Sequence, residues 1–254
     1  MAIDLKKMQG KLKALQNKGS KTSFWSPKEG QTYSIRLMPA NDGDPFKERW
    51  FHYEIAKNGF LCPKKNFGDE CPACDFAAKL YKDKTEESRK MAKIFTARQR
   101  FFSAIVVRGE EKEGVKVWGY GKNAYQDLIN LVLNPDYGDI TDTDQGTDLS
   151  LMASKANGQS FPTTKLTPAR KTSALCKNTQ ECSELMESLP DFEELHKRTT
   201  TEEVSAILDE YLAGGTDSEE EVEEVSSEVK RGGANKRAKS ADPVEDAFAE
   251  LGLN

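Results

Sequence analysis

Four side chains able to hold a metal ion, His52, Cys62, Cys71 and Cys74, fall within one stretch of 23 residues. Cys71-Pro-Ala-Cys74 is a C-x-x-C, a spacing that turns the backbone so that two thiolates reach one ion, each about 2.3 Å away. His52 and Cys62 complete a tetrahedral set of one imidazole and three sulfurs. The whole chain has only two histidines and five cysteines, so this clustering is not expected by chance. Four protein ligands leave no open position for water, which predicts one structural zinc ion rather than a catalytic one. The plainer reading is a pair of buried cysteines beside an unrelated surface histidine.

These ligands need a particular backbone. Arg49-Trp-Phe-His-Tyr-Glu-Ile55 reads as a strand and leads through Asn58-Gly59 into Phe60-Leu61. A two-residue turn at Asn58-Gly59 pairs Ile55 with Cys62 and sends His52 and Cys62 to opposite faces. A three-residue loop over 57–59 pairs Cys62 with Glu54 and puts His52 and Cys62 on one face. If the segment is a hairpin, zinc requires the longer loop.

Composition narrows the setting. No apolar run approaches the ~18 residues of a membrane span. The N-terminal residues lack the apolar core of a signal peptide, so the protein is expected inside the cell, not secreted, and its thiols reduced. Cys176 and Cys182 have no metal spacing and read as ordinary reduced residues on helical segments. The net charge of −5 is unevenly spread: +9 over residues 1–133, −8 over 134–215 and −6 over 216–254. A basic front half can meet phosphate although the chain as a whole is acidic.

Residues 4–18 read as a helix between Asp4 and Gly19, with an apolar stripe of Leu5, Met8, Leu12 and Leu15 and five lysines around it. Such a helix either docks on the body or serves as a basic arm that meets a partner. From Phe24 to Tyr137, short β-like runs alternate with turn signals, and this stretch holds 18 of the 22 aromatics. The spacings predict a small barrel or sandwich. The pattern turns helical between Cys74 and Ala97, over Tyr125–Leu133, near 180–189 and over about 202–212, where Thr200-Thr-Glu-Glu203 supplies a capping box. From Gly214 the chain is acidic and low in complexity, ending in a segment with Phe248, Leu251 and Leu253 that suits a peptide folding against a partner.

Cations interleaved with aromatics are what a single-stranded nucleic acid needs: Lys and Arg release counterions from phosphate, and ring faces stack on exposed bases. The candidates are Arg36, Trp50, Lys64, Lys65, Tyr81, Lys93, Arg98, Arg100, Phe101, Trp118, Tyr120 and Lys122. In Arg98-Gln-Arg-Phe-Phe-Ser, Arg98 and Arg100 share one strand face and Phe101 takes the other. Some of these aromatics therefore line a groove and the rest belong to the core.

The chain resembles the single-stranded DNA-binding, helix-destabilising proteins of T-even-type bacteriophages. The resemblance rests on the lysine-rich N-terminal segment, Ser34-Ile-Arg-Leu-Met-Pro39, the ordered set His52…Cys62…Cys71-Pro-Ala-Cys74, Arg100-Phe-Phe-Ser-Ala-Ile-Val-Val107, Val117-Trp-Gly-Tyr-Gly-Lys122 and the acidic tail. It implies an α+β fold with a mainly β core: an OB-fold-like barrel (21–213) with an inserted zinc subdomain (about 50–97), C-terminal helices and a disordered acidic tail (214–254). It also implies cooperative, sequence-tolerant binding of single strands in phage DNA replication, recombination and repair. A basic arm (1–20) would contact neighbouring copies, and the tail would contact replication and recombination proteins. Arg36, Tyr81, Arg98, Phe101, Trp118 and Lys122 fall where the family has DNA-contacting or nearby residues. This chain departs from the family at Leu5-Lys-Lys-Met-Gln, where a Lys-Arg-Ser-Thr-Ala motif is usual, and at Gly68-Asp-Glu, where a tyrosine usually precedes the cysteine pair.

On this reading zinc holds the loops from His52 to Cys74 as one wall of a groove, the tail covers that groove when DNA is absent, and the protein is not an enzyme. Two other classes remain. A zinc-ribbon transcription accessory protein needs the metal loops and tail but no aromatic groove. A zinc deaminase is hinted at by His52-Tyr-Glu54 and the C-x-x-C, but residue 70 is Glu rather than Pro, and Cys62 would close the site.

Overall fold

The computed structural model describes residues 23–155 and 162–214, so the expected N-terminal helix and acidic tail lie outside the described residues. Two compact units form. One contains the described residues up to Arg49 together with Gln99–Lys197; the other contains Trp50–Arg98 and the described residues from Arg198 onward.

The first unit is built on strands β1 (Ser23–Trp25), β2 (Thr32–Leu37), β5 (Arg98–Val107), β6 (Lys116–Tyr120), β7 (Thr147–Ser154) and β8 (Thr163–Thr172), with β3 (Lys47–His52) and β4 (Phe60–Leu61) in the stretch between β2 and β5. The hydrogen-bonded order is β1-β6-β5-β2-β7-β8. β1 runs parallel to β6, whereas β5–β6, β2–β5, β2–β7 and β7–β8 are antiparallel. Two helices complete the unit, α4 (Lys122–Leu133) and α5 (Thr179–Glu187). β8 falls where the sequence predicts only a proline-punctuated approach to helices. Pro168 is tolerated because β8 is an edge strand, where a missing N–H breaks no central ladder.

β5 explains why this unit has two apolar faces. Every residue from Phe101 to Val107 is buried, although alternate side chains point opposite ways. Phe101 and Ile105 pack with Ile35, Leu37, Trp118, Leu149 and Leu151 beneath Ala124 and Leu128 of α4. Ala104 and Val106 pack with Met38, Leu175 and Leu185 of α5. Ser103, also fully buried, satisfies its hydroxyl on the Pro45 carbonyl at 2.7 Å and the Tyr120 hydroxyl at 2.7 Å.

Cys176 and Cys182 are not reduced: they form a disulfide, with Cα atoms 5.4 Å apart. Only Cys182 lies in a helix. Cys176 sits in the bend before α5, and Asn178 caps that helix by accepting from the Glu181 N–H at 2.8 Å. The turn that starts α5 thus folds the chain back and brings two cysteines six positions apart within bonding reach.

The second unit contains α1 (Pro63–Phe67), α2 (Pro72–Asp83), α3 (Glu86–Phe95) and α6 (Thr201–Leu212). α2 ends at Lys84, whose φ of 62° is left-handed. α3 starts at once, with Thr85 as N-cap accepting from the Ser88 N–H at 3.1 Å. The capping box expected at Thr200 and Glu203 is formed and starts α6. Leu80, Phe95, Val204 and Leu208 from α2, α3 and α6 share one apolar cluster with Cys62 and Cys71.

Candidate metal centre and nucleic-acid interface

Local backbone chemistry delivers each metal ligand. Cys62 is the N-cap of α1 and Cys71 the N-cap of α2, each followed by a proline at the first helical position. The Cys62 sulfur caps the N–H groups of α1, a position that favours a thiolate, whereas the Cys71 side chain makes no capping bond to α2. The Lys65 N–H donates to Cys62 Sγ at 3.4 Å. Cys74 lies one turn into α2. His52 is the last residue of β3, which pairs with β4 through Phe51 opposite Leu61 and His52 opposite Phe60.

This register corrects both hairpin expectations. The Cys62 N–H donates to the Trp50 carbonyl, so Cys62 stands opposite Trp50 rather than Ile55 or Glu54. The connection spans 53–59, longer than either expected loop, and Gly59 lies under the Tyr53 ring, 2.6 Å from where its own Cβ would be. His52 and Cys62 still share a face, because Trp50 and His52 are two residues apart on one strand.

The four ligand atoms all lie within 4.8 Å of one another, and His52, Cys62 and Cys71 are buried. His52 Nε2 faces Cys71 Sγ at 3.4 Å and Cys74 Sγ at 3.7 Å, and Cys62 Sγ is 3.4 Å from Cys74 Sγ. His52 Nδ1 is buried with no hydrogen-bond partner, so the ring is held by packing against Phe60, 5.2 Å between centroids. The electrostatics of the bare cluster are divided. Sulfhydryl donors from Cys71 and Cys74 push the Cys62 thiol down to about 3. The Cys74 thiol is pushed up, first by its hydrogen bond to Cys62 and then by that to Cys71. A divalent ion among the sulfurs would favour the thiolate form of each ligand. Three sulfurs and an imidazole in tetrahedral reach fit a borderline-soft ion such as zinc.

The candidate nucleic-acid residues separate by burial. In the second unit, Lys64, Lys65, Tyr81, Lys93 and Arg98 are exposed and Trp50 is half-buried. Lys65 Nζ lies 5.5 Å from the Trp50 ring centroid. Lys64 pairs with Asp75 at 2.7 Å, and the Tyr81 hydroxyl meets Thr96 Oγ1 at 3.2 Å. Arg98 pairs with Glu54, which commits the carboxylate of the deaminase-like pattern to an ion pair. In the first unit, Arg100 and Lys122 are exposed.

Four expectations need correction. Arg36 is 0 % exposed. Its guanidinium donates to Asp148 Oδ1 at 2.8 Å, to the Asp142 carbonyl at 3.2 Å, and to the Ser173 carbonyl and hydroxyl at 2.7 and 2.6 Å. Gly146 makes room for it, since a Cβ there would lie 2.7 Å from Nη1. With four hydrogen bonds to protein and no exposed surface, the guanidinium is not presented to a phosphate. Phe101 is buried and stacks on Tyr125, 3.8 Å between centroids. Trp118 is also core and lies 4.3 Å from Tyr120, centroid to centroid. Tyr120 is buried on Ser103, and burial pushes its hydroxyl pKa up. None of these three rings is open to a base. Alternation correctly puts Phe101 opposite Arg100, but it is the Phe101 face that packs under α4.

The signal that was missed lies one residue further on. Phe102 shares the Arg100 face, and Phe24, the most exposed phenylalanine among the described residues at 55 %, lies beside it. Strand parity puts Phe102 on the Arg100 face but does not say which face a helix covers.

Residues 28–212 match the family model described as "gp32 DNA binding protein like". No curated protein matches the chain.

Proposed function

Because the chain belongs to the gp32-like family of DNA-binding proteins, we propose that it binds single-stranded DNA with little sequence preference and serves DNA replication, recombination and repair inside the cell. The family match over residues 28–212 carries this reading. Support comes from Lys65, Lys93, Arg100 and Lys122, cations exposed on the two units, and from the net charge of +9 over residues 1–133. The β-rich unit is read as an OB-like core, although among the described residues β1 and β8 remain the two ends of the sheet path.

We assign a structural zinc ion to His52, Cys62, Cys71 and Cys74. When bound, it would offset two of the three thiolate charges and tie β3 to α1 and α2. Four protein ligands leave it no position for substrate, so no catalytic role is assigned. Residues 1–20 are proposed to contact neighbouring copies on DNA, and residues 214–254 to meet replication and recombination proteins.

The test is a titration of the full chain with unlabelled single- and double-stranded DNA at two salt concentrations. The expected result is tighter binding to single strands, with affinity falling as salt rises. The neutralising substitutions Lys65→Gln, Lys93→Gln and Lys122→Gln should each reduce the slope of log K against log salt by about 0.7 per lost phosphate contact. Equal affinity for duplex would overturn the proposal.

A further inference from the structure

Within the first unit, the sheet face that carries Ala104 and Val106 continues past their apolar cluster into a row of residues outside it. β5 contributes Arg100 and Phe102, β6 contributes Gly119, and Gly121, the N-cap of α4, follows it. Phe102 is paired with Gly119, so the two share a face. A Cβ at Gly119 would lie 3.0 Å from the Phe102 ring, and a Cβ at Gly121 would lie 3.7 Å from Arg100 Nη1. The two glycines thus leave a low floor, across which a ring and a guanidinium are laid. Phe24 of β1 stands opposite Val117, and Val117 opposite Ala104, which places Phe24 on the same face.

Three rings meet there. Phe24 and Phe102 are edge to face with centroids 6.5 Å apart, His196 is 5.7 Å from Phe24, and His196 is 5.0 Å from Phe102. Phe102 is 7 % exposed and His196 half-buried, so these two form a backing. Phe24 is 55 % exposed on an edge strand and presents ring surface to water. Burial, and after it the neighbouring Arg49, holds the His196 imidazole below its usual range. The backing is therefore uncharged at neutral pH and suits an apolar face. A phenylalanine left this exposed costs apolar hydration, and its two ring neighbours extend it into an aromatic surface on the face that carries Arg100.

We propose that Phe24, backed by His196 and Phe102, is a stacking platform for one unpaired nucleobase, with Arg100 placed to meet the adjoining phosphate. The inference rests on the single-stranded DNA reading above and assigns a site within it. A nucleobase is favoured over a peptide by charge: the exposed neighbours along the strand ends are Arg100 and Lys122, which suit an anionic backbone. Phe24 acts through its π-face, so an aliphatic side chain of similar bulk does not replace it.

The test uses the full chain and a short fluorescein-labelled oligo-dT, followed by anisotropy. Phe24→Ala and Phe24→Leu should each weaken binding by about tenfold at fixed salt, within the range for loss of one base stack. Phe24→Tyr should bind as the parent does. None of the three should alter the salt slope, whereas Arg100→Gln should lower it by about 0.7. An oligonucleotide with abasic positions should bind the parent more weakly than oligo-dT, and Phe24→Ala should discriminate less between the two. Irradiating the parent on 5-iodouracil-substituted DNA should crosslink the peptide containing Phe24. Unchanged affinity in both Phe24→Ala and Phe24→Leu, or crosslinks confined to other peptides, would overturn the platform. If the parent itself does not prefer single strands, the functional reading has failed rather than this site.

Discussion

The two units reach a folded state by different means. The first has two apolar faces on one sheet and buries Phe101, Trp118, Tyr120, Ile35 and Leu128. The second, among the described residues, has four helices and one short strand pair, and its apolar cluster is continuous with Cys62 and Cys71. Its metal pocket therefore forms part of the core. One unit is stabilised by apolar area, the other by apolar area joined to a coordination set whose bare form resists full ionisation. Aromatic burial and metal ligation are thus alternative ways to organise a small β-containing body, and they fail under different conditions.

The largest separation between the units is expected on metal removal. Binding of structural zinc contributes roughly 10–16 kcal/mol to the folding of small zinc modules. Stripping the protein with a chelator, or substituting Cys71→Ser, should abolish hydrogen-exchange protection over Trp50–Arg98 and in α6 while β2, β5 and β7 stay protected. Equal loss in both units would show that they do not fold independently.

A smaller effect belongs to the first unit alone. Arg36→Met leaves Asp148 with Arg108 as its one cation partner and the Ser173 hydroxyl as a donor, and removes the donors to the Ser173 and Asp142 carbonyls. Breaking a buried ion pair in this way costs about 3–5 kcal/mol. Urea denaturation should show that loss, and the salt dependence of DNA binding should not change. A lowered salt slope with unchanged stability would return Arg36 to the DNA-contacting set.

The smallest of the three concerns the disulfide between Cys176 and Cys182. Closing so short a loop is worth about 2 kcal/mol. A reductant should lower the melting temperature of the first unit by a few degrees, and Cys182→Ser should make that temperature insensitive to reductant. A parent that melts identically with and without reductant would mean the bridge adds nothing to the first unit.

How much was legible in the sequence followed the same division. The grouping of His52, Cys62, Cys71 and Cys74, whose ligand atoms come within 4.8 Å of one another, was legible because ligand chemistry restricts residue type and spacing. Their register was not: Asn58-Gly59 imitates a tight turn, but Tyr53 packing over Gly59 draws out a longer loop. The main strands and helices were read to within a few residues where their periodicity was strong, as in β5 and α4. The nucleic-acid candidates divided by a fact that no local pattern carries. Phe101 to Val107 is apolar on both faces, so alternation separates Phe101 from Phe102 without saying which one a helix will cover. Arg36 was misread because its partners, Asp148 and Ser173, lie more than a hundred residues away. The disulfide was missed because reduced thiols were inferred from expected compartment rather than from the turn that begins α5.

α6 has a consequence for how the chain is made. The ligands from His52 to Cys74 leave the ribosome early, yet Val204 and Leu208, which line the same apolar cluster, are translated about 130 residues after Cys74. In between, β5, β6, β7 and β8 of the other unit are synthesised. A nascent chain can thus close its coordination set while one wall of the surrounding core does not yet exist. Full burial of those sulfurs waits for nearly complete translation, and until then free metal and oxidants have access to them.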